Sequence, residues 1–131
     1  MKTKLILSFL LLTTCVMAFS QEKQSEKGLI KISVMYPYAE GKTFDLAYYE
    51  TKHMPMVAGY LGDNLVRYTI EKGLSNGLPN QPLPFMAIGT FYVKRLSDYQ
   101  SAVTPNRDAI RADFKNYTDV IPVILVSEVL K

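Results

Sequence analysis

Apolar and polar positions alternate along residues 29–36, with Ile30, Ile32 and Val34 on one side and Lys31 and Ser33 on the other. A period of two rich in β-branched residues predicts a half-buried strand. Pro37 and Gly41 punctuate the turn after it. The period then changes. Residues 43–60 have helical spacing, with Thr43 placed to cap and Asp45 in the first turn, where a negative charge suits the helix dipole. At about 100° per residue, Asp45, Tyr49, Met56 and Tyr60 fall within about 60° of one another, flanked by Lys52 and His53. Pro55 has no N–H, and its ring clashes with the carbonyl of Thr51. A kink or break is therefore expected near His53–Met54, with Pro55 opening a second short helical turn.

The alternation returns at residues 64–71, where Val66, Tyr68 and Ile70 oppose Arg67, Thr69 and Glu71. Residues 72–84 hold too many Gly, Pro and Asn for regular structure and predict a long surface loop. Residues 85–93 predict a third strand. Ser97 is placed to cap a helix through Tyr99, and a second helical piece is expected over 104–114 with Pro105 in its first turn. Residues 118–130 close the chain with a Val- and Ile-rich strand beginning near Pro122.

The order β-α-β-β-α-β predicts an α+β, ferredoxin-like layer, an antiparallel sheet with both helices on one face. The third and fourth strands are apolar on both faces. Phe85, Ala87, Gly89 and Phe91 oppose Met86, Ile88, Thr90 and Tyr92, and Ile121, Val123 and Leu125 oppose Pro122, Ile124 and Val126. One set faces the helices and the other needs a cover, which predicts a homodimer packed sheet against sheet.

The first segment is different in kind. Lys2 and Lys4 precede an apolar run from Leu5 to Phe19, and Ala18 and Ser20 are small residues before the polar Gln21. That is the pattern of a signal peptide over residues 1–20, too short for a good membrane span. Residues 21–28 read as a flexible tether, and 29–131 as the domain. The protein is expected to be exported, periplasmic or secreted; the alternative is a lipoprotein anchored at Cys15. Cleavage changes the charge. Of 15 basic residues Lys2 and Lys4 are lost, and none of the 12 acids, so the net charge falls from +3 to near +1. A basic patch for nucleic acid or for a stable membrane partner is therefore not indicated. The one cysteine leaves too, and with it thiol chemistry.

Candidate chemistry is sparse. The one histidine, His53, sits at the expected helix break on the flank of a face carrying Asp45, Tyr49 and Tyr60. There it keeps a wet edge, and a helix C-terminus favours its protonated form, which suits acid/base work. The plain alternative is a helix-terminal histidine that bonds a nearby carbonyl. A lone histidine does not build a multi-histidine metal site. Asn116-Tyr117-Thr118-Asp119 is either a turn with local side-chain bonding or a group reaching a pocket mouth through Tyr117 and Asp119. The nine tyrosines read mostly as core or rim residues that keep a hydroxyl wet, and a subset lining a pocket suits an aromatic or polyketide-like ligand.

The strings Phe44-Asp45, Tyr48-Tyr49 and Lys52-His53-Met54-Pro55 are followed by Glu71-Lys72-Gly73-Leu74, Ala87-Ile88-Gly89 and Asn116-Tyr117-Thr118-Asp119-Val120 with Pro122. Together and in this order they resemble the EthD family, named for ethyl tert-butyl ether degradation, over residues 29–131. The resemblance implies a dimeric α/β barrel. Its superfamily includes cofactor-free quinol monooxygenases, muconolactone isomerases and haem-dependent enzymes, and members are often labelled reductases. It places the family's histidine at His53 and its acidic position at Asp119. The expectation is a pocket for a small hydrophobic or aromatic compound with proton-transfer or cofactor-free oxidative chemistry. His53 is the acid/base, Tyr49 and Asp119 orient it or the ligand, and Asp45, Tyr48, Met56 and Tyr117 are the substrate-binding candidates. No cofactor is expected. The rivals are a non-catalytic binding or stress-related dimer and a haem protein with His53 as axial ligand. An exported protein has no ready nicotinamide supply, which argues against a reductase.

Overall fold

A computed structural model describes residues 25–131. The expected leader with Cys15, and the first part of the tether, lie outside the described residues. The end of the tether is tied to the domain. The Gly28 N–H donates to the Val129 carbonyl at 2.8 Å, and Arg67 donates twice to the Glu26 carboxylate, at 2.6 and 3.0 Å.

Four strands form one antiparallel sheet: β1 (Ile30–Pro37), β2 (Leu65–Lys72), β3 (Phe85–Val93) and β4 (Val123–Glu128), in the order β2-β3-β1-β4. Between β1 and β2 run α1 (Leu46–Tyr48), a π-turn over Tyr49–His53, and α2 (Met54–Leu61); α3 (Leu96–Asp113) links β3 to β4. This is the expected split βαβ arrangement, α+β and ferredoxin-like.

Register assigns the faces. Ile32, Val34 and Tyr36 lie opposite Phe91, Gly89 and Ala87. That face meets Tyr49, Met54, Val57 and Leu61 to make the core. On the other face Thr69, Thr90 and Ser33 form a small polar row, with Met35 and Ile88 beside it. At β4 the helix layer stops short. Val123, Ile124, Leu125 and Val126 are all exposed, so neither face of this edge strand is covered within one chain.

Both helical segments depart in part from their expected forms, although Pro55 opens α2 as expected. In the first, Asp45 is the cap in place of Thr43, its carboxylate accepting from the Tyr48 N–H at 3.0 Å. The Met54 N–H then reaches five residues back to the Tyr49 carbonyl, and Pro55 sits in the first turn of α2, where no N–H is needed. The helix is thus reset by a π-turn rather than broken. In the second, one continuous helix spans the expected gap. Ser97 does not cap it; Arg95 occupies that position and pairs with Asp98. Pro105 is inside the helix, and the carbonyl of Ser101 that it leaves without a donor belongs to an exposed residue, where water can satisfy it.

Candidate functional site

The π-turn sets which side chains point inward. A turn of five residues in place of four rotates everything after it, so the inward stripe is Tyr49, His53, Val57 and Leu61, spaced by four. Met56 and Tyr60 fall outside it and are only partly buried. Tyr49 and His53 stack with ring centres 5.4 Å apart, and Tyr117 and Phe114 close on the imidazole at 4.6 and 5.6 Å. Gly89 makes this possible: a Cβ there would collide with the Tyr49 hydroxyl. His53 is 4% exposed, so the wet edge expected of a helix break is absent.

A carboxylate holds the buried imidazole. Asp113 Oδ2 lies 2.8 Å from His53 Nδ1, while Tyr48 Oη and Asn116 Nδ2 each donate to Oδ1 at 2.8 Å. Burial pushes the His53 pKa down, and the Asp113 carboxylate opposes this only in part, so the ring is neutral near pH 7. Burial raises the Asp113 carboxyl, but the donors His53, Asn116 and Tyr48 outweigh it and hold the group below the usual carboxylate range. A neutral ring that donates Nδ1–H to Asp113 carries its lone pair at Nε2. Among the described residues Nε2 has no hydrogen-bond partner, and no fully buried polar side-chain atom lacks one, so the little surface that His53 keeps includes Nε2.

Beside His53 a cavity of about 350 Å³ lies between α3 and the sheet. Its walls are mostly apolar: Val34, Tyr36 and Phe91 from the sheet, Tyr49 and Val57 from the first helical segment, Val103 and Ile110 from α3, and Phe114 just past its end. The Tyr36 and Tyr117 hydroxyls share a hydrogen bond of 2.8 Å behind this wall. Burial pushes the phenols of Tyr36, Tyr49 and Tyr117 far up, so all three stay neutral.

The residues singled out in the sequence therefore divide. His53 and Tyr49 line the cavity. Tyr48 does not line it and reaches His53 only through Asp113. Tyr117, Asp45 and Asp119 line a second, open depression where 43–45 and 117–119 zip together: the Asp45 N–H donates to the Tyr117 carbonyl at 2.7 Å and Thr118 Oγ1 to the Thr43 carbonyl at 3.0 Å. Asp119 accepts from the Thr43 N–H at 3.1 Å and faces Lys42 at 3.5 Å. These contacts hold its carboxyl below the usual range. The carboxylate that orients His53 is Asp113. Sequence reasoning missed it, although one signal was present, since an acid in the last turn of a helix opposes the dipole and needs another reason to be there.

A split βαβ sheet, with a buried histidine held by a half-buried carboxylate beside an apolar cavity, defines a small ferredoxin-like domain. The EthD domain family matches residues 41–121, a span that includes His53, Asp113 and Asn116. An EthD-like protein from Ralstonia eutropha JMP134 is 42% identical, with 80% of this chain and 95% of that one covered and a TM-score of 0.75. This chain belongs to the EthD family. An EthD-family protein from Bacillus halodurans C-125 shares the fold at 17% identity and a TM-score of 0.58, covering 78% of this chain and 99% of that one. HapK from Hahella chejuensis does so at 13% and 0.50, covering 77% and 92%. No curated protein matches this chain.

Proposed function

We propose that the cavity between α3 and the sheet binds a small hydrophobic or aromatic compound, and that His53 Nε2 accepts a proton from it without a cofactor. One observation carries this reading: Asp113 fixes Nδ1, which leaves Nε2 as the basic atom of a neutral imidazole in the wall of an apolar cavity. The neutral tyrosines Tyr36 and Tyr49 in its lining supply ring surface against an aromatic guest. The protein works as an exported homodimer, with residues 1–20 removed and the helix-free sheet face covered by a second copy. Intact mass of exported material starting at Gln21 supports this, and a lipid on Cys15 contradicts it.

The test uses His53→Asn, whose amide keeps a donor toward Asp113 and deletes Nε2. Turnover of a proton-transfer substrate is expected to fall by about 10²–10⁴ while ligand affinity changes little. Unchanged turnover overturns the base assignment, and loss of binding alone points to a pure binding module. Haem is the rival, because a carboxylate on Nδ1 also orients Nε2 for iron. A Soret band in the purified protein contradicts the cofactor-free reading.

A further inference from the structure

One side of the cavity is polar. Gln100, Thr104, Arg107 and Arg111 recur at steps of four, three and four along α3, so they form one stripe beside the apolar stripe of Tyr99, Val103, Ile110 and Phe114. Both stripes line the cavity. Thr104 spends its hydroxyl on the Gln100 carbonyl at 2.7 Å. The two guanidinium groups differ: among the described residues neither Arg107 nor Arg111 makes an ion pair, and both are exposed. The acids that could serve them are engaged or lie elsewhere. Asp113 is taken by His53, Tyr48 and Asn116, and Asp108 is not among the cavity-lining residues. Across the opening, the approach to β4 presents Ile121, Pro122 and Ile124, with Ile121 87% exposed. The cavity thus has an apolar interior, one apolar lip and one cationic lip.

Resting on the reading of this cavity as the ligand site, we infer that its ligand is an aromatic carboxylic acid, held with its ring system inside and its carboxylate at the rim on Arg107 and Arg111. Three physical points favour this chemistry. A guanidinium presents a planar fork of donors that matches a carboxylate, and two on adjacent turns of one helix face converge on a single anion. An anion held at the rim keeps part of its hydration, so seating it avoids the cost of burying a charge. A neutral, apolar interior gives the charged group no competing place to bind, which fixes the orientation and brings the ring system toward His53.

Three probes of one design test this by calorimetry at low salt: 2-naphthoate, its neutral isostere 2-naphthamide, and acetate. The wild type is expected to bind 2-naphthoate about tenfold or more tightly than 2-naphthamide, a preference that salt erodes, and acetate far more weakly than either. In the double variant Arg107→Gln, Arg111→Gln the naphthoate affinity drops to that of naphthamide, and naphthamide binding is unchanged. Gln is a good helix former at these exposed positions, so folding is preserved. Equal binding of the two naphthalenes by the wild type overturns the carboxylate inference and leaves the cavity reading standing. A preference that survives in the double variant also overturns it. Acetate binding as tightly as naphthoate reduces it to surface ion pairing and overturns it as well. Failure of both naphthalenes to bind the wild type overturns the cavity reading and this inference with it.

Discussion

Three donors converge on the two oxygens of Asp113, and this settles how the site responds to a change there. In Asp113→Asn one side of the amide meets a donor with its own N–H, a mismatch expected to cost about 1–3 kcal/mol in a denaturant melt. The variant also removes the charge that props up the His53 pKa, so the imidazole midpoint measured by NMR moves further down. Asp119→Asn leaves that midpoint in place, because Asp119 is engaged by Lys42 and Thr43; a shift of equal size in both variants contradicts the assignment of Asp113. The same imidazole makes stability depend on pH. Its folded pKa lies below the ordinary value near 6.5, so between the two values the unfolded chain binds a proton that the folded chain refuses. The contribution is complete above about pH 6.5 and is lost as pH falls from there toward the folded pKa. Thermal melts from pH 8 to pH 5 are expected to decline through that window, and His53→Asn flattens this part of the curve. At this scale His53 was legible because a single histidine beside a helix-breaking proline stands out. Asp113 was not, because it lies 60 residues further on and only the packing of α3 brings it to the ring.

Among the elements, the π-turn over Tyr49–His53 has the largest consequence. A wheel drawn at about 100° per residue puts Met56 and Tyr60 with Tyr49, whereas the extra residue in the turn replaces them with His53 and Val57. Proline marks the place from the sequence, but the choice between a break and a π-turn depends on what the inward face packs against. Here that is β3 at Gly89, which receives the Tyr49 hydroxyl. Gly89→Ala is expected to destabilise the fold by about 1–3 kcal/mol, as overpacking does, and to shift the ring resonances of Tyr49 and His53 together. A variant that melts with the wild type shows the contact to be slack. The α3 helix teaches the complementary lesson. Pro105 predicted a helix start, yet the helix runs through it at an exposed position, where water can satisfy the carbonyl left without a donor.

For the whole molecule the decisive feature is β4. Its residues alternate as a strand should, but the helix layer covers neither face, and Leu125 is 53% exposed. Register puts Leu125 opposite Ser33 on the helix-free face, where Met86 also lies, while Val126 lies opposite Ile32 on the helix side. The sheet-to-sheet dimer we propose therefore predicts that Leu125→Asp or Met86→Asp converts a dimer into monomer or aggregate in light scattering, whereas the wild type runs at twice the monomer mass. A wild type that stays monomeric at micromolar concentration contradicts it.

Local patterning determined the element order, the four strands to within a few residues, and hence the ferredoxin-like class. Period-2 alternation and proline or glycine punctuation act over short stretches that one sequence displays in full. The run of motifs from Phe44 to Pro122 was enough to suggest the family. Tertiary structure alone decided the partner of His53, the inward stripe of the first helical segment and the cavity with its arginine rim. Those depend on where residues far apart in the chain are brought together, and on a one-residue change of helical phase. An imidazole in a helix carries no mark of which carboxylate, of the several along the chain, the fold will set 2.8 Å from it.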